Sequence, residues 1–299
     1  MSEFLGTRKS VRLKNLEISY LEDGDPKGLP VVFLHGFPDD ALSWDSVVER
    51  LGSQPLRLLR PWQRGFGGSI VVERSARSGQ TAALAQDVLD FADSMKLDQF
   101  VVVGHDWGSR AAHGVAILAP DRLSGLIALA TPYGQGTGTP ETKLRQEEAF
   151  WYQWFFQTPH GQSVFRQDAK LFYRYLWSSW SPRWQFTSEE YDATARSFEN
   201  PQFVDTVLHY YAHRWANASG SPIYAKQQEV IDGVPKIAVR TIFACGAEDR
   251  CNLPEISHGN ERSYGGYFRR IEMPNAGHFI QRESPERVAE LIRELLALP

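Results

Sequence analysis

Val101-Val102-Val103-Gly104-His105-Asp106-Trp107-Gly108-Ser109-Arg110 decides how this chain is read. Three β-branched apolar residues in a row describe a buried strand. The strand runs straight into Gly-x-Asp-x-Gly, and the small residues Ala111, Ala112 and Gly114 follow on a helix. This is the layout of a nucleophile elbow, with Asp where the motif usually carries Ser. The sharp turn forces its central residue into strained backbone, so the residues two before and two after it must be small. The helix N-terminus beneath favours a negative side chain. Gly-x-Asp-x-Gly alone also suits an ordinary turn. Its setting between strand and small-residue helix points instead to a presented carboxylate, Asp106.

Such a nucleophile needs an acid and a base later in the chain, in the order nucleophile, acid, histidine. Asp249 follows the strand that begins at Thr241, and His278 follows in Asn275-Ala276-Gly277-His278-Phe279. Both fall just past the carboxyl ends of expected strands, where an open α/β sheet builds its site. Glu248 and Asp121 are the rival acids. The strand before the aromatic segment ends Leu129-Ala130-Thr131-Pro132-Tyr133 without a carboxylate, which favours Asp249. His35-Gly36-Phe37-Pro38 ends another strand, and the backbone amides of Phe37 and Trp107 are the expected oxyanion hole.

Around these motifs the chain alternates short buried strands with helices, which predicts a mostly parallel sheet covered on both faces. VRLKNLEISYLEDGD reads as a hairpin strand or two with a turn at Asp23-Gly24. Residues 43–51 read as helical. Thr81 is the expected N-cap of a helix carrying Leu84, Val88, Phe91 and Met95, and Ser284 that of an amphipathic closing helix starting at Pro285. From about Thr139 to Ile231 no buried strand is recognisable, and six of the nine Trp fall between 150 and 216. We expect an α/β core over 1–138 and 232–299 and an inserted helical lid over 139–231. Gly134 to Pro140 is its flexible entrance.

The chain has 299 residues, net charge −4 and no basic block, so nucleic acid and anionic membranes are not expected partners. No apolar run is long enough to span a bilayer, and MSEFLGTRKS does not read as a secretory signal. Two Cys, Cys245 and Cys251, suit reduced thiols in a cytoplasmic protein rather than a disulfide framework. No spacing suggests a metal site, and no cofactor is expected. A monomer or homodimer acting on a small apolar organic molecule fits these features.

Taken together, His35-Gly-Phe-Pro, Arg64-Gly-Phe-Gly-Gly-Ser69, His105-Asp-Trp-Gly, Asp249 and Gly277-His-Phe resemble the epoxide hydrolase and haloalkane dehalogenase branch of the α/β-hydrolase superfamily. The resemblance covers nearly the whole chain. It implies that Asp106 forms an alkyl-enzyme ester, which water activated by His278 and oriented by Asp249 then hydrolyses. It also implies two lid tyrosines donating to an epoxide oxygen. Tyr152 in Phe150-Trp-Tyr-Gln-Trp-Phe matches one. Tyr211 matches the other, with Tyr210 close behind and Ala212 leaving the register open. Phe37, Trp107, Trp154 and Tyr210 are the expected substrate contacts.

The alternative is a haloalkane or haloacetate dehalogenase with the same Asp-His-Asp set. Its features are thinner: Phe37 stands where haloalkane dehalogenases carry Asn, and Trp107 where fluoroacetate dehalogenases carry Arg. The halide-binding His–Trp pair would fall on Gln153 and Trp154. Arg110 matches a second Arg of that group, although a structural ion pair beside the elbow is the simpler reading. A catalytically silent binding scaffold is the remaining alternative.

Overall fold

Apolar runs and β-branched residues set the strands. They are β1 (Thr7–Arg12), β2 (Leu16–Gly24), β3 (Leu29–Leu34), β4 (Leu56–Pro61), β5 (Ile70–Val71), β6 (Phe100–His105), β7 (Leu123–Leu129), β8 (Thr241–Gly246) and β9 (Phe268–Met273). The computed structural model describes residues 6–298 except 53, 135 and 137. Among these residues the strands form one sheet in the order β1-β2-β4-β3-β6-β7-β8-β9, with the short β5 paired to β2. From β4 to β9 all pairings are parallel, while β1 and β2 are antiparallel additions at one edge.

The period-two alternation divides the core. Val31, Phe33, Val101, Val103, Ile127 and Leu129 face one side, where they pack with Trp44, Val47 and the closing helix residues Val288, Leu291, Ile292 and Leu295. Val32, Leu34, Phe100 and Val102 face the other, against Leu84, Val88, Phe91, Ala111, Ala112 and Val115. The covering helices are α1 (Asp45–Leu51), α2 (Thr81–Ser94) and α3 (Trp107–Leu118).

Between β7 and β8 the described residues form seven α-helices: α4 (Pro140–Ala149), α5 (Trp151–Phe155), α6 (Pro159–Gln167), α7 (Ala169–Trp180), α8 (Ser188–Ala195), α9 (Phe203–Arg214) and α10 (Ala225–Asp232). Side chains of Thr139, Thr158, Asp168 and Thr187 accept from first-turn amides of α4, α6, α7 and α8. Each such N-cap is worth about 1 kcal/mol. Much of the aromatic content here is packing. Tyr173, Trp177, Phe165 and Phe156 are buried, and the Trp177 indole donates to the Pro38 carbonyl at 2.6 Å, tying α7 to the β3 loop. The chain closes with α11 (Ile280–Glu283) and α12 (Pro285–Leu296). No described helix is long and apolar enough to cross a membrane.

Local details depart from the sequence reading. The β1–β2 hairpin turns between Leu13 and Leu16, and Asp23-Gly24 instead continues β2, because β4 pairs with it there. Thr81 is the first helical residue of α2, and Gln80 takes the N-cap place without a side-chain bond. Ser284 holds the N-cap place of α12 but makes no cap hydrogen bond either. The expected Gly-rich entrance lies partly on 135 and 137, outside the described residues.

Candidate active site

β3 and β6 are neighbours, yet the chain leaves them toward opposite edges of the sheet. A crevice therefore opens at their carboxyl ends, as at any topological switch point. Asp106 stands there between β6 and α3 with φ 52° and ψ −113°. Holding a non-glycine residue in that conformation costs about 1–3 kcal/mol. The surrounding glycines permit it. A Cβ on Gly104 would lie 2.3 Å from the Gly108 carbonyl oxygen, and one on Gly108 would lie 2.1 Å from that of Leu34. A Cβ on Gly36 would meet the Asp106 Cβ at 2.4 Å.

The Asp106 carboxylate is held on several sides. Its Oδ1 accepts the Phe37 amide at 2.9 Å. Its Oδ2 accepts the Thr131 hydroxyl at 3.4 Å, and that hydroxyl in turn accepts Asn252 Nδ2 at 3.2 Å. Trp107 is the first residue of α3, so its amide has no intrahelical acceptor.

His278 Nε2 lies 3.8 Å from Asp106 Oδ2 and is buried without a hydrogen-bond partner among the described residues. On the other side of the ring, Nδ1 is 2.9 Å from Asp249 Oδ2. An ionised carboxylate only accepts, so Nδ1 carries the proton and the neutral ring leaves Nε2 free as a base. Asp249 is fixed through Oδ1, which accepts the amides of Cys251 at 2.7 Å and Asn252 at 2.9 Å. Burial alone would lower the His278 pKa, but the Asp249 and Asp106 carboxylates outweigh it and raise the ring above 6.5.

The rival acids lie elsewhere. Glu248 pairs with Arg183 at 2.7 Å, and Asp121 belongs to the turn that enters β7, at the opposite end of that strand from the site.

Tyr152 on α5 and Tyr211 on α9 flank the Phe37 ring, with their own ring centroids 5.3 Å apart. Their rings meet edge to face, and the Asp106 charge acts on both phenols. Burial first, then neighbouring groups, push both phenols well above 10, so both stay protonated. Gln153 Nε2 donates to the Tyr152 hydroxyl at 2.8 Å, and Gln153 Oε1 accepts the Trp215 indole at 3.1 Å. Cys251 Sγ is 3.6 Å from the same hydroxyl. The Trp107 indole donates to the Tyr211 hydroxyl at 3.1 Å.

Of the neighbouring pair on α9, Tyr211 thus turns to Tyr152 and Phe37. Tyr210 stacks on the Trp107 ring at 4.5 Å. Trp154 departs from the expected substrate contacts. It is 40% exposed, stacks on Trp215 at 4.1 Å and points its indole at the Glu147 carbonyl. Helix periodicity explains this, because Tyr152 and Trp154 are two residues apart and face different ways. Arg110 makes no ion pair among the described residues, contrary to the structural pairing expected for it, and lies over the Trp107 ring at 5.3 Å.

Thr131, Cys251 and Asn252 were not legible as site residues, and Gln153 entered only as the position of a halide-binding His in the dehalogenase alternative. Cys251 and Asn252 carried one signal, their closeness to Asp249.

A cavity of about 1140 Å³ adjoins the site. Trp107, Thr131, Asn252, Tyr210, Phe150, Arg110 and Arg214 line it, and Asp106 lies just behind at 6% exposure.

Residues 30–285 match the α/β-hydrolase fold family. Epoxide hydrolase A of Mycobacterium tuberculosis is 33% identical over 97% of this chain and 97% of its own. An epoxide hydrolase of Caballeronia sordidicola is 25% identical over 90% and 88%. A crystal structure from Klebsiella pneumoniae, described provisionally as an epoxide hydrolase, superposes with a TM-score of 0.91. It is 29% identical, and 98% of each chain is covered. By sequence and by fold the chain belongs to the α/β-hydrolase family, in the branch that holds the epoxide hydrolases.

Proposed function

We propose that this protein opens epoxides to vicinal diols through an ester on Asp106. The observation that carries this reading is the pair of neighbouring, protonated phenols, Tyr152 and Tyr211, whose rings lie 5.3 Å apart and on which the Asp106 charge acts. An oxirane oxygen needs O–H donors as its C–O bond breaks, and two protonated tyrosines supply them. A leaving halide would need N–H donors instead. The indole N–H of Trp107 is already engaged by Tyr211. Relatives named as epoxide hydrolases along nearly the whole chain support the same reaction.

In the first half, an Asp106 oxygen attacks an epoxide carbon. The carbon–oxygen bond breaks, and the oxygen takes a proton from Tyr152 or Tyr211. In the second half, His278 Nε2 removes a proton from water as the water attacks the ester carbonyl. Asp249 stabilises the imidazolium that forms. The Phe37 and Trp107 amides hold the tetrahedral oxyanion, which then collapses; the leaving alkoxide takes the proton of the His278 imidazolium to complete the diol, and the proton left on the Asp106 carboxyl returns to the tyrosinate, restoring carboxylate, imidazole and phenol. Once esterified, Asp106 no longer carries the charge that raises the His278 pKa, so more of the ring is in the neutral, proton-accepting form at neutral pH. No step calls for a metal or cofactor. Helices α4 to α10, residues 139–231, act as the lid that brings the tyrosines to the core.

The test is a panel of styrene-type epoxides, haloalkanes and haloacetates, scored for diol and for halide. Diol from epoxides with no halide release is expected. Halide release without diol would overturn the reading in favour of dehalogenation.

A further inference from the structure

Tyr133 and Tyr191 show the ordinary arrangement of a tyrosine hydroxyl. Tyr133 donates its proton to the Pro235 carbonyl at 2.6 Å, and Tyr191 donates to the carbonyl of Lys170. The Tyr152 hydroxyl receives instead. Gln153 Nε2 donates to its oxygen at 2.8 Å, and among the described residues no carbonyl or carboxylate accepts from it. Its other close partner is the Cys251 thiol at 3.6 Å, which burial keeps protonated.

The direction of the Gln153 amide is set from its far end. An indole N–H only donates, so Trp215 Nε1, 3.1 Å away, fixes the oxygen of that amide. The nitrogen is thereby turned to Tyr152. Gln153 is buried, and the Trp215 ring is held in turn, stacked on Trp154 at 4.1 Å with the Arg214 guanidinium over it at 5.2 Å. A phenol oxygen that accepts on one side must point its own proton elsewhere. The rings of Phe37, Phe156 and Trp180 surround Tyr152, so screening is weak and the N–H donor gains strength as charge develops on the oxygen.

We infer that Gln153 is a positioning residue for epoxide opening: its amide directs the Tyr152 proton into the site and holds the tyrosinate left when that proton has gone. This rests on the epoxide reading above. The Tyr152 O–H bond breaks as the epoxide C–O bond breaks, and the new O–H bond forms on the departing oxygen. Gln153 itself gains and loses no proton. Trp107 stands in the same relation to Tyr211 at 3.1 Å, but it also lines the cavity, so Gln153 is where the effect can be isolated.

The experiment follows ester formation by rapid mixing with styrene oxide, and ester decay in single turnover, from pH 6 to 9. It uses the wild type, Gln153→Met, Gln153→Glu, Tyr152→Phe and the double variant Tyr152→Phe/Gln153→Glu. Gln153→Met, which lacks the donor, is expected to slow ester formation about tenfold and leave ester decay unchanged. In Gln153→Glu the protonated carboxyl still donates to Tyr152, whereas the carboxylate accepts from it and turns its proton away. Ester formation should therefore fall as pH rises through the titration of the new carboxyl. Neither the wild type nor the double variant should show that step, because the residue acts through Tyr152. Equal slowing of formation and decay would mark Gln153 as a packing residue and overturn the role. The same pH step in the Tyr152→Phe background, or wild-type ester formation in both single Gln153 variants, would also overturn it while keeping the reaction. No ester from styrene oxide or any other epoxide in the wild type would sink the reaction reading and this role together.

Discussion

His278 Nε2 faces Asp106 Oδ2 at 3.8 Å while its Nδ1 is held by Asp249 at 2.9 Å. That separation is too long for a hydrogen bond, so Nε2 is directed toward the Asp106 carboxylate without being tied to it. If the base acts only in the second half-reaction, removing it strands the intermediate. His278→Gln should accumulate a covalent adduct of the epoxide's mass on Asp106, read by intact-mass and peptide mass spectrometry. Asp106→Asn should form none. A His278→Gln protein that turns over normally, or stays unmodified while the wild type makes diol, would exclude this division of labour.

Tyr152 and Tyr211 pack against each other and share one neighbour, Phe37, so each can cover in part for the other. Tyr152→Phe or Tyr211→Phe alone should slow ester formation by about 10- to 100-fold, and the double variant by about 10³-fold or more. Rapid-mixing measurement of the ester-forming step isolates this effect. Wild-type rates in Tyr152→Phe would remove that residue from the reaction.

The Asp249 carboxylate is the main influence that keeps the His278 pKa above 6.5 against burial. Ester hydrolysis needs the neutral ring, so its rate should fall as pH drops through the histidine pKa and level off on the alkaline side. In Asp249→Asn the raising charge is gone. The acid limb of single-turnover ester decay should then move to lower pH, with a plateau well below that of the wild type. An acid limb that stays in place would mean that another group controls it.

Buried neutral histidines make the fold sensitive to acid. Burial lowers His35 to about 4, and His105 and His113 to about 3. A folded pKa below the unfolded value of 6.5 stabilises the protein fully above pH 6.5. That contribution is lost as pH falls, by up to about 1.4 kcal/mol per pH unit for each group. Asp40, raised to about 6 by burial, works in the opposite direction and offsets one of the three between pH 6 and 4. The midpoint of thermal unfolding should therefore be clearly lower at pH 5 than at pH 7.5. A flat profile between these values would contradict the burial of these rings.

What could be read from the sequence was set by local rules. The elbow announces itself because Gly104 and Gly108 are required by contacts within a few residues and by the strand alongside. Asp249 and His278 follow strands that periodicity marks clearly. The surroundings of Tyr152 are another matter. Gln153 and Cys251 reach its hydroxyl, and Tyr211 its ring, from 1, 99 and 59 residues away, and no local pattern records such a meeting. Trp154 was misplaced because composition marks an aromatic segment without saying which rings look inward. The hairpin turn was misplaced because Asp23-Gly24 is a turn signal that pairing with β4 overrides.

Trp107 lines the cavity beside Asp106, and its indole holds the hydroxyl of Tyr211. Tyr210 stacks on the same ring. The wall of the cavity and the orientation of both α9 tyrosines are therefore one piece of structure, so that a substitution at Trp107 alters the shape of the cavity and the setting of Tyr211 together.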